Sequence, residues 1–147
     1  MPNVILSGRK INDSMGSYTA DILIKKMVNR SISIKDSEIL IMGFSFKENC
    51  PDFRNTGVIN VVNELKDFAC NVDLYDPWVE PAEVLKEYNL KVYKEIPDKK
   101  YSAIFIAVGH SCFKERGIKY IKNHCKDNSV IFDLKYLFEP DEQIYRI

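Results

Sequence analysis

From residue 38 to residue 133 short apolar runs alternate with amphipathic stretches, and that alternation restricts the chain to very few folds. Ile39-Leu40-Ile41-Met42 and the run from Ala103 to Val108 are apolar at every position. A strand with no polar alternation is buried on both faces, which is the mark of a parallel sheet covered by helices. Between the runs, Val58, Val61, Val62, Leu65 and Phe68 share one face of a helix predicted over 57–69. A strand over 71–75 ends at Asp76-Pro77, and Pro81 opens a helix over 81–88 at a favoured first-turn position. A weak strand over 90–93 follows, then the strand over 103–108, which is the most apolar and so central. A helix over 114–125 turns Ile118, Ile121 and Cys125 inward, and a strand over 129–133 closes the sheet. The expectation is an α/β chain: a parallel-sheet, Rossmann-like three-layer domain over 36–147. A long N-terminal helix and a connector occupy 1–35. In that helix Ile11, Met15, Tyr18 and Ile22 recur at helical spacing, joined by Leu23, Met27 and Val28. Asn12, Asp13 or Ser14 is placed to cap it, and Gly16 weakens it slightly. Such a face must pack on the following domain, on another chain or on a further domain.

Composition narrows the function. The 147 residues are 46% hydrophobic, enough for a packed core, and 21 basic residues balance 21 acidic ones. With no long charged block, nucleic acid and anionic membrane are not expected partners. No apolar run is long enough to span a bilayer, and the N-terminus has no signal-peptide core, so a cytoplasmic location is expected. Cys50, Cys70, Cys112 and Cys125 form no C-x-x-C pair, and His110 and His124 complete no zinc pattern. Free structural thiols and no metal site follow from this.

In a parallel sheet the working edge is the carboxyl end of the strands. That rim gathers 43–55, 76–77, 108–113 and 133–136. The first of these loops carries Lys47 and Arg54 and then opens a helix, whose unpaired N–H groups favour anions. Arg54 suits bidentate phosphate contact and Lys47 acts as a point charge. Asn55 or Thr56 is placed to cap the helix. Only Gly43 of a G-x-G-x-x-G fingerprint is present, and Ser45 stands at the second glycine position, which disfavours NAD binding by this domain alone. Asp76 reads as a turn starter or as a ribose-binding acid. His110 reads as a hydrogen-bond partner of the loop or as a general base. Beside it Cys112 would be an activated thiol if the histidine and a helix start lowered its pKa. Lys135 either reaches the rim that carries Lys47 or points to water.

Read together, these segments resemble one family. The stretch Gly43-Phe-Ser-Phe-Lys47-Glu-Asn-Cys-Pro-Asp-Phe-Arg54-Asn-Thr56 resembles the G-x-x-F-K-x-x-x-x-D-x-R-x-[ST] segment of the UDP-glucose/GDP-mannose dehydrogenase family, in its C-terminal UDP-sugar-binding domain. Tyr75-Asp76-Pro77 matches the family's Y-D-P. Ala107 to Phe113 is similar to the A-V-x-H-x-x-F of the branch acting on UDP-N-acetylhexosamines, and Phe132 to Lys135 resembles F-D-x-R. Residues 4–15 look like the start of that branch's long central helix. The resemblance covers nearly the whole chain, in order.

What the resemblance implies is a truncated nucleotide-sugar 6-dehydrogenase. Full-length members oxidise a nucleotide sugar at C6 to the uronate with two NAD⁺, here a UDP-N-acetylhexosamine for surface polysaccharide or capsule. On this basis 1–35 is the end of the central dimerisation helix with its connector, and a homodimer through residues 10–30 is an expected partner. The other expected partners are a UDP-sugar and a missing N-terminal NAD-binding domain. Phe46, Lys47 and Lys135 are the expected substrate-binding residues and Arg54 the cofactor-binding one. Lys135 stands where the family has arginine and so lacks the planar fork. No catalytic residue is assigned: the family's catalytic cysteine precedes the central helix, whereas Cys112 follows it. No cofactor is expected on this chain alone and no turnover from it. Two other classes stay open: a free-standing nucleotide-binding or regulatory module, and a small thiol enzyme built on Cys112 and His110.

Overall fold

A computed structural model describes residues 13–54 and 56–146. Six parallel strands form one sheet in the order β3-β2-β1-β4-β5-β6. They are β1 (Glu38–Met42), β2 (Asn71–Tyr75), β3 (Val92–Tyr93), β4 (Tyr101–Ile106), β5 (Cys125–Asp133) and β6 (Ile144–Tyr145). The helices are α1 (Asp13–Asn29), α2 (Val58–Asp67), α3 (Pro81–Tyr88), α4 (Ser111–Arg116) and α5 (Ile118–Lys122). This is the Rossmann strand order, so the parallel α/β expectation holds.

Period-two geometry divides the apolar strands between two cores. Ile39, Ile41, Ala103, Phe105, Val130 and Phe132 pack under α1, α2 and α3 on one face. Leu40, Met42, Ile104, Ile106 and Ile131 face α4 and α5 on the other. Every residue of β4 is buried, Ser102 included, and the strand begins two residues before the apolar run from Ala103.

The differences from expectation are local. The helix expected over 114–125 is two short helices, α4 and α5, broken at Gly117, whose φ of +89° few other residues adopt. β5 does not close the sheet, because β6 pairs beyond it with Ile131 opposite Ile144. On α1 the buried face is Met15, Thr19, Ala20, Leu23, Ile24 and Met27, while Tyr18 and Val28 are 40% and 57% exposed. Tyr18 therefore lies off the packed face, with the half-buried Ile22 at its edge. Gly16 explains the phase. A Cβ there would lie 2.8 Å from the Asn60 Cβ and 3.0 Å from the Gly57 carbonyl, so the bare backbone lets α1 and α2 close together. The cap expected at Asn12, Asp13 or Ser14 and the motif over 4–12 lie outside the described residues and side chains.

Candidate functional site

Two strands set the site. β1 and β4 are neighbours, and their chains leave the sheet in opposite lateral directions, which in this topology opens a crevice at the carboxyl edge. Here the crevice is bridged. Gly43 leaves β1 with φ +105°, and a Cβ on it would sit 2.6 Å from the Val108 Cβ, so only glycine allows the two loops to close so tightly. Phe44 then turns into the core against Phe53 and Tyr88, with ring centroids 6.2 and 5.6 Å away, and ties the loop to α3.

Beyond Phe44 polar groups do the tying. The amides of Phe44 and Ser45 donate to Asp76 Oδ2 at 2.7 and 2.9 Å, and the Trp78 amide donates to Asp76 Oδ1 at 2.7 Å. His110 Nε2 lies 3.0 Å from Asp76 Oδ2 and 3.0 Å from Ser45 Oγ. The Asn49 amide donates to His110 Nδ1 at 2.8 Å. Since Nδ1 accepts, the proton belongs on Nε2, and the imidazole is neutral. The Ser45 hydroxyl donates in turn to the Lys47 carbonyl at 3.1 Å. Asn49 and Ser111 complete the bridge with a reciprocal pair, Nδ2 to Oγ at 2.8 Å and the Ser111 amide to Oδ1 at 2.9 Å. Ser45, Asp76 and His110 are all buried. Burial works against the Asp76 charge, but the His110 hydrogen bond and the amide donors outweigh it and hold the carboxyl below its usual range.

These contacts decide several sequence readings. Asp76 does start a turn, through Trp78, but its buried carboxylate is saturated by four donors and is not offered to a ribose. His110 binds the loop and does not stand free as a base. A serine, a histidine and an aspartate meet here, yet both partners sit on the same ring nitrogen, so no proton relay through the ring exists. Cys112 gains nothing from its neighbour, because both His110 nitrogens are engaged and burial pushes the thiol pKa up. The residue at the N-cap of α2 is Gly57, without a side-chain cap, although the Thr56 hydroxyl just before it accepts from the Val58 amide at 3.2 Å; Asn55 lies outside the described residues.

The expected binding residues divide into two groups. Phe46 and Lys47 lie between the pinned residues Ser45 and Asn49. The Phe46 amide donates to the Asp52 carbonyl at 2.7 Å and closes the loop, while Lys47 is exposed. Lys135 reaches the neighbouring side of the β4 exit. Its Cβ would lie 3.5 Å from a Cβ placed on Gly109, the residue before His110. The end of β4 thus has the Lys47 loop on one side and Lys135 on the other. Arg54 stands apart. Its side chain is 81% exposed and grips Asp52 bidentately, Nε to Oδ1 at 3.0 Å and an outer nitrogen to Oδ2 at 3.1 Å. That hydrogen bond and charge pull the Asp52 carboxyl down to about 2. Arg54 borders an open groove of about 740 Å³ between its loop and α3, walled also by Trp78, Glu80, Glu83 and Lys94. No group of three or more potential metal ligands occurs among the described residues.

The model of the UDP-glucose/GDP-mannose dehydrogenase family, UDP binding domain, matches residues 40–140. The chain belongs to this family. It is 45% identical over 146 residues to the UDP-N-acetyl-D-glucosamine 6-dehydrogenase of Salmonella typhi, covering 99% of this chain and 34% of that one. The protein of the same description from Pseudomonas aeruginosa is 40% identical, with 99% and 35% covered. The chain therefore spans about a third of the length of these curated relatives. Among solved structures, the NDP-N-acetyl-D-galactosaminuronic acid dehydrogenase of Methanosarcina mazei Go1 superposes with a TM-score of 0.80 at 20% identity, over 92% of this chain and 29% of that one. The UDP-N-acetyl-mannosamine dehydrogenase Cap5O of Staphylococcus aureus gives 0.67 at 23%, over 90% and 30%. At such identities these two structures share the fold. Within the family's UDP binding domain, the exits of β1 and β5 carry Phe46, Lys47 and Lys135, with β4 between them.

Sequence reading missed the bridge itself. Ser45 enters that reading only as the residue at the second glycine position, Asn49 not at all, and Asp76 and His110 only singly. Their only shared signal is position, since each follows a strand end, and strand order alone brings those ends together.

Proposed function

We propose that this chain grips the uridine diphosphate of a UDP-N-acetylhexosamine as the substrate domain of a nucleotide-sugar 6-dehydrogenase. Phe46 borders the nucleotide and Lys47 and Lys135 meet the diphosphate from the two sides of the β4 exit. The observation that carries this reading is that exit: Gly109 rests against Lys135 while His110 holds the loop that bears Lys47. Two cations on a bound rim suit a diphosphate, which spreads its charge over several oxygens.

Arg54 serves the cofactor side of the same enzyme, at a cleft toward a separate NAD-binding domain. There it must leave Asp52 to meet a pyrophosphate, an exchange that its exposure makes cheap. The bridged crevice and the serine at position 45 argue that NAD⁺ is held chiefly by that other domain. Oxidation of the C6 alcohol, the cysteine chemistry and a homodimer through residues 10–30 belong to the whole enzyme. A cytoplasmic location fits a UDP-sugar substrate; no described helix is long and apolar enough to cross a membrane.

Calorimetric titration of the chain with UDP, UDP-N-acetylglucosamine and NAD⁺, each alone, tests the reading. Uridine nucleotides are expected to bind and NAD⁺ not to. Lys47→Ala is expected to weaken UDP by about 1–3 kcal/mol, the usual worth of a charge-assisted contact. Equal UDP affinity in the variant removes Lys47 from the site.

A further inference from the structure

The cation-bearing tip of the β1–α2 loop is exposed, yet the loop is fixed at both ends, at the buried Ser45 and at the exposed Asn49. Ser45 is held by Asp76 and His110 on one side, and Asn49 by His110 and Ser111 on the other. Asn49 adopts φ +56°, a left-handed conformation that asparagine tolerates better than other non-glycine residues. Its amide is the one that His110 accepts. The ring itself has no freedom. It is fully buried, lies 5.1 Å from the Phe113 ring edge-on, and has Trp78 tilted over it at 6.1 Å. Both nitrogens are engaged, and only the Nε2-protonated neutral form satisfies every partner.

We propose that His110 is a positioning residue for nucleotide binding: through Ser45 and Asn49 it sets the backbone on either side of Phe46 and Lys47, so that the loop meets a diphosphate already shaped. The inference rests on the reading of Lys47 given above, and it adds a part that no direct contact would reveal. A long, flexible lysine on an unfixed loop would lose affinity to ordering on binding; a loop pinned at residues 45 and 49 has already met that cost in folding. His110 touches no ligand in this arrangement. Its work is done by hydrogen bonds that join the exits of three strands, β1, β2 and β4.

The test uses the 147-residue chain with UDP as probe and three readouts: calorimetric affinity, amide hydrogen exchange, and the ¹⁵N shifts of the His110 ring. His110→Ala removes both ring contacts. It is expected to weaken UDP about tenfold, as the loss of one net hydrogen-bonded constraint would, and to speed exchange at residues 46–49. His110→Asn keeps an acceptor near Nδ1 for the Asn49 amide and is expected to recover part of the affinity and of the protection. In the unsubstituted chain the ring shifts should be those of the Nε2-protonated tautomer. A folded His110→Ala with unchanged UDP affinity overturns the proposal, and so does an Nδ1-protonated ring, which is decisive even if the alanine variant fails to fold. If the unsubstituted chain binds no UDP, the diphosphate reading fails by itself. His110 is then judged on the loop, and unchanged exchange at 46–49 in His110→Ala or His110→Asn overturns its role there too.

Discussion

At the residue scale the most heavily used atom is Asp76 Oδ2, which takes two amides and an imidazole N–H while Oδ1 takes a third amide. Asparagine has the same shape but would turn an NH₂ group toward donors. Asp76→Asn is therefore expected to cost about 2–4 kcal/mol of unfolding free energy by urea titration, the range for breaking a buried polar network. The pH dependence has a definite sign. A carboxyl whose folded pKa lies below its unfolded value adds stability above the unfolded value and loses it as pH falls through the folded one. The unsubstituted chain should thus lose stability on acidification below about pH 4, and Asp76→Asn should lose less over the same interval. Asp52 makes the contrasting case. Its pKa is also lowered, to about 2, but the group is only half-buried and its partner Arg54 is exposed, so Asp52→Asn is expected to leave the urea midpoint at neutral pH nearly unchanged. A fall in midpoint comparable to that of Asp76→Asn would refute the assignment of Asp52 as a surface partner of Arg54.

Elements were legible in proportion to how local their causes are. β1 and β4 are written as unbroken apolar runs, and α3 is announced by Pro81, so all three lie close to where they were expected. β6 has two residues and exists because Ile144 finds Ile131, a pairing that no local pattern encodes. The break at Gly117 had a local signal, a glycine inside a helical pattern, that the periodicity of Ile118 and Ile121 outweighed. On α1 the packed face includes Gly16, whose bare backbone allows close approach to α2. The Lys47 and Arg54 motif was legible as a string, whereas the bridge of Ser45, Asp76 and His110 needed the sheet order first. The α1–α2 contact has its own titrating group, Glu64. A hydrogen bond to Asp21 raises the Glu64 pKa, helped by burial and by the charges of Asp21 and Asp67. A raised carboxyl pKa means that the folded chain holds its proton longer, so this contribution is full at low pH and fades as pH rises through the folded value. Glu64→Gln keeps a donor for Asp21 without the charge. Its melting temperature is expected to exceed that of the unsubstituted chain at pH 7 and to match it near pH 4. An equal or lower value at pH 7 would show that the two carboxyls do not repel across the helices.

For the whole molecule, the two sides of the rim should respond as one unit. The binding groups sit on the exits of β1 and β5 with β4 between them, and those three strands are the middle of a continuous sheet. A ligand that engages Lys47 and Lys135 together closes a contact across β4, so it must favour the folded chain over the unfolded one. Mass action sets the size. Ligand at a hundred times its Kd adds about 2.7 kcal/mol if the unfolded chain does not bind it. For a chain of this length that corresponds to a rise in melting temperature of about 5–11 °C. UDP is expected to produce such a rise in a thermal melt, and inorganic phosphate at the same concentration a much smaller one, because a single phosphate offers less charge and fewer oxygens to share between two lysines. Salt should reduce the UDP effect, since an exposed Lys47 is screened within about 8 Å at physiological ionic strength. Lys135→Ala should lower the ligand-induced rise, measured against the variant's own melt without ligand. Lys135→Arg, which restores the planar fork, should preserve or enlarge the rise. If phosphate matches UDP, or if Lys135→Ala leaves the rise intact, the two cations do not share one ligand, and the exit of β4 is not where the diphosphate lies.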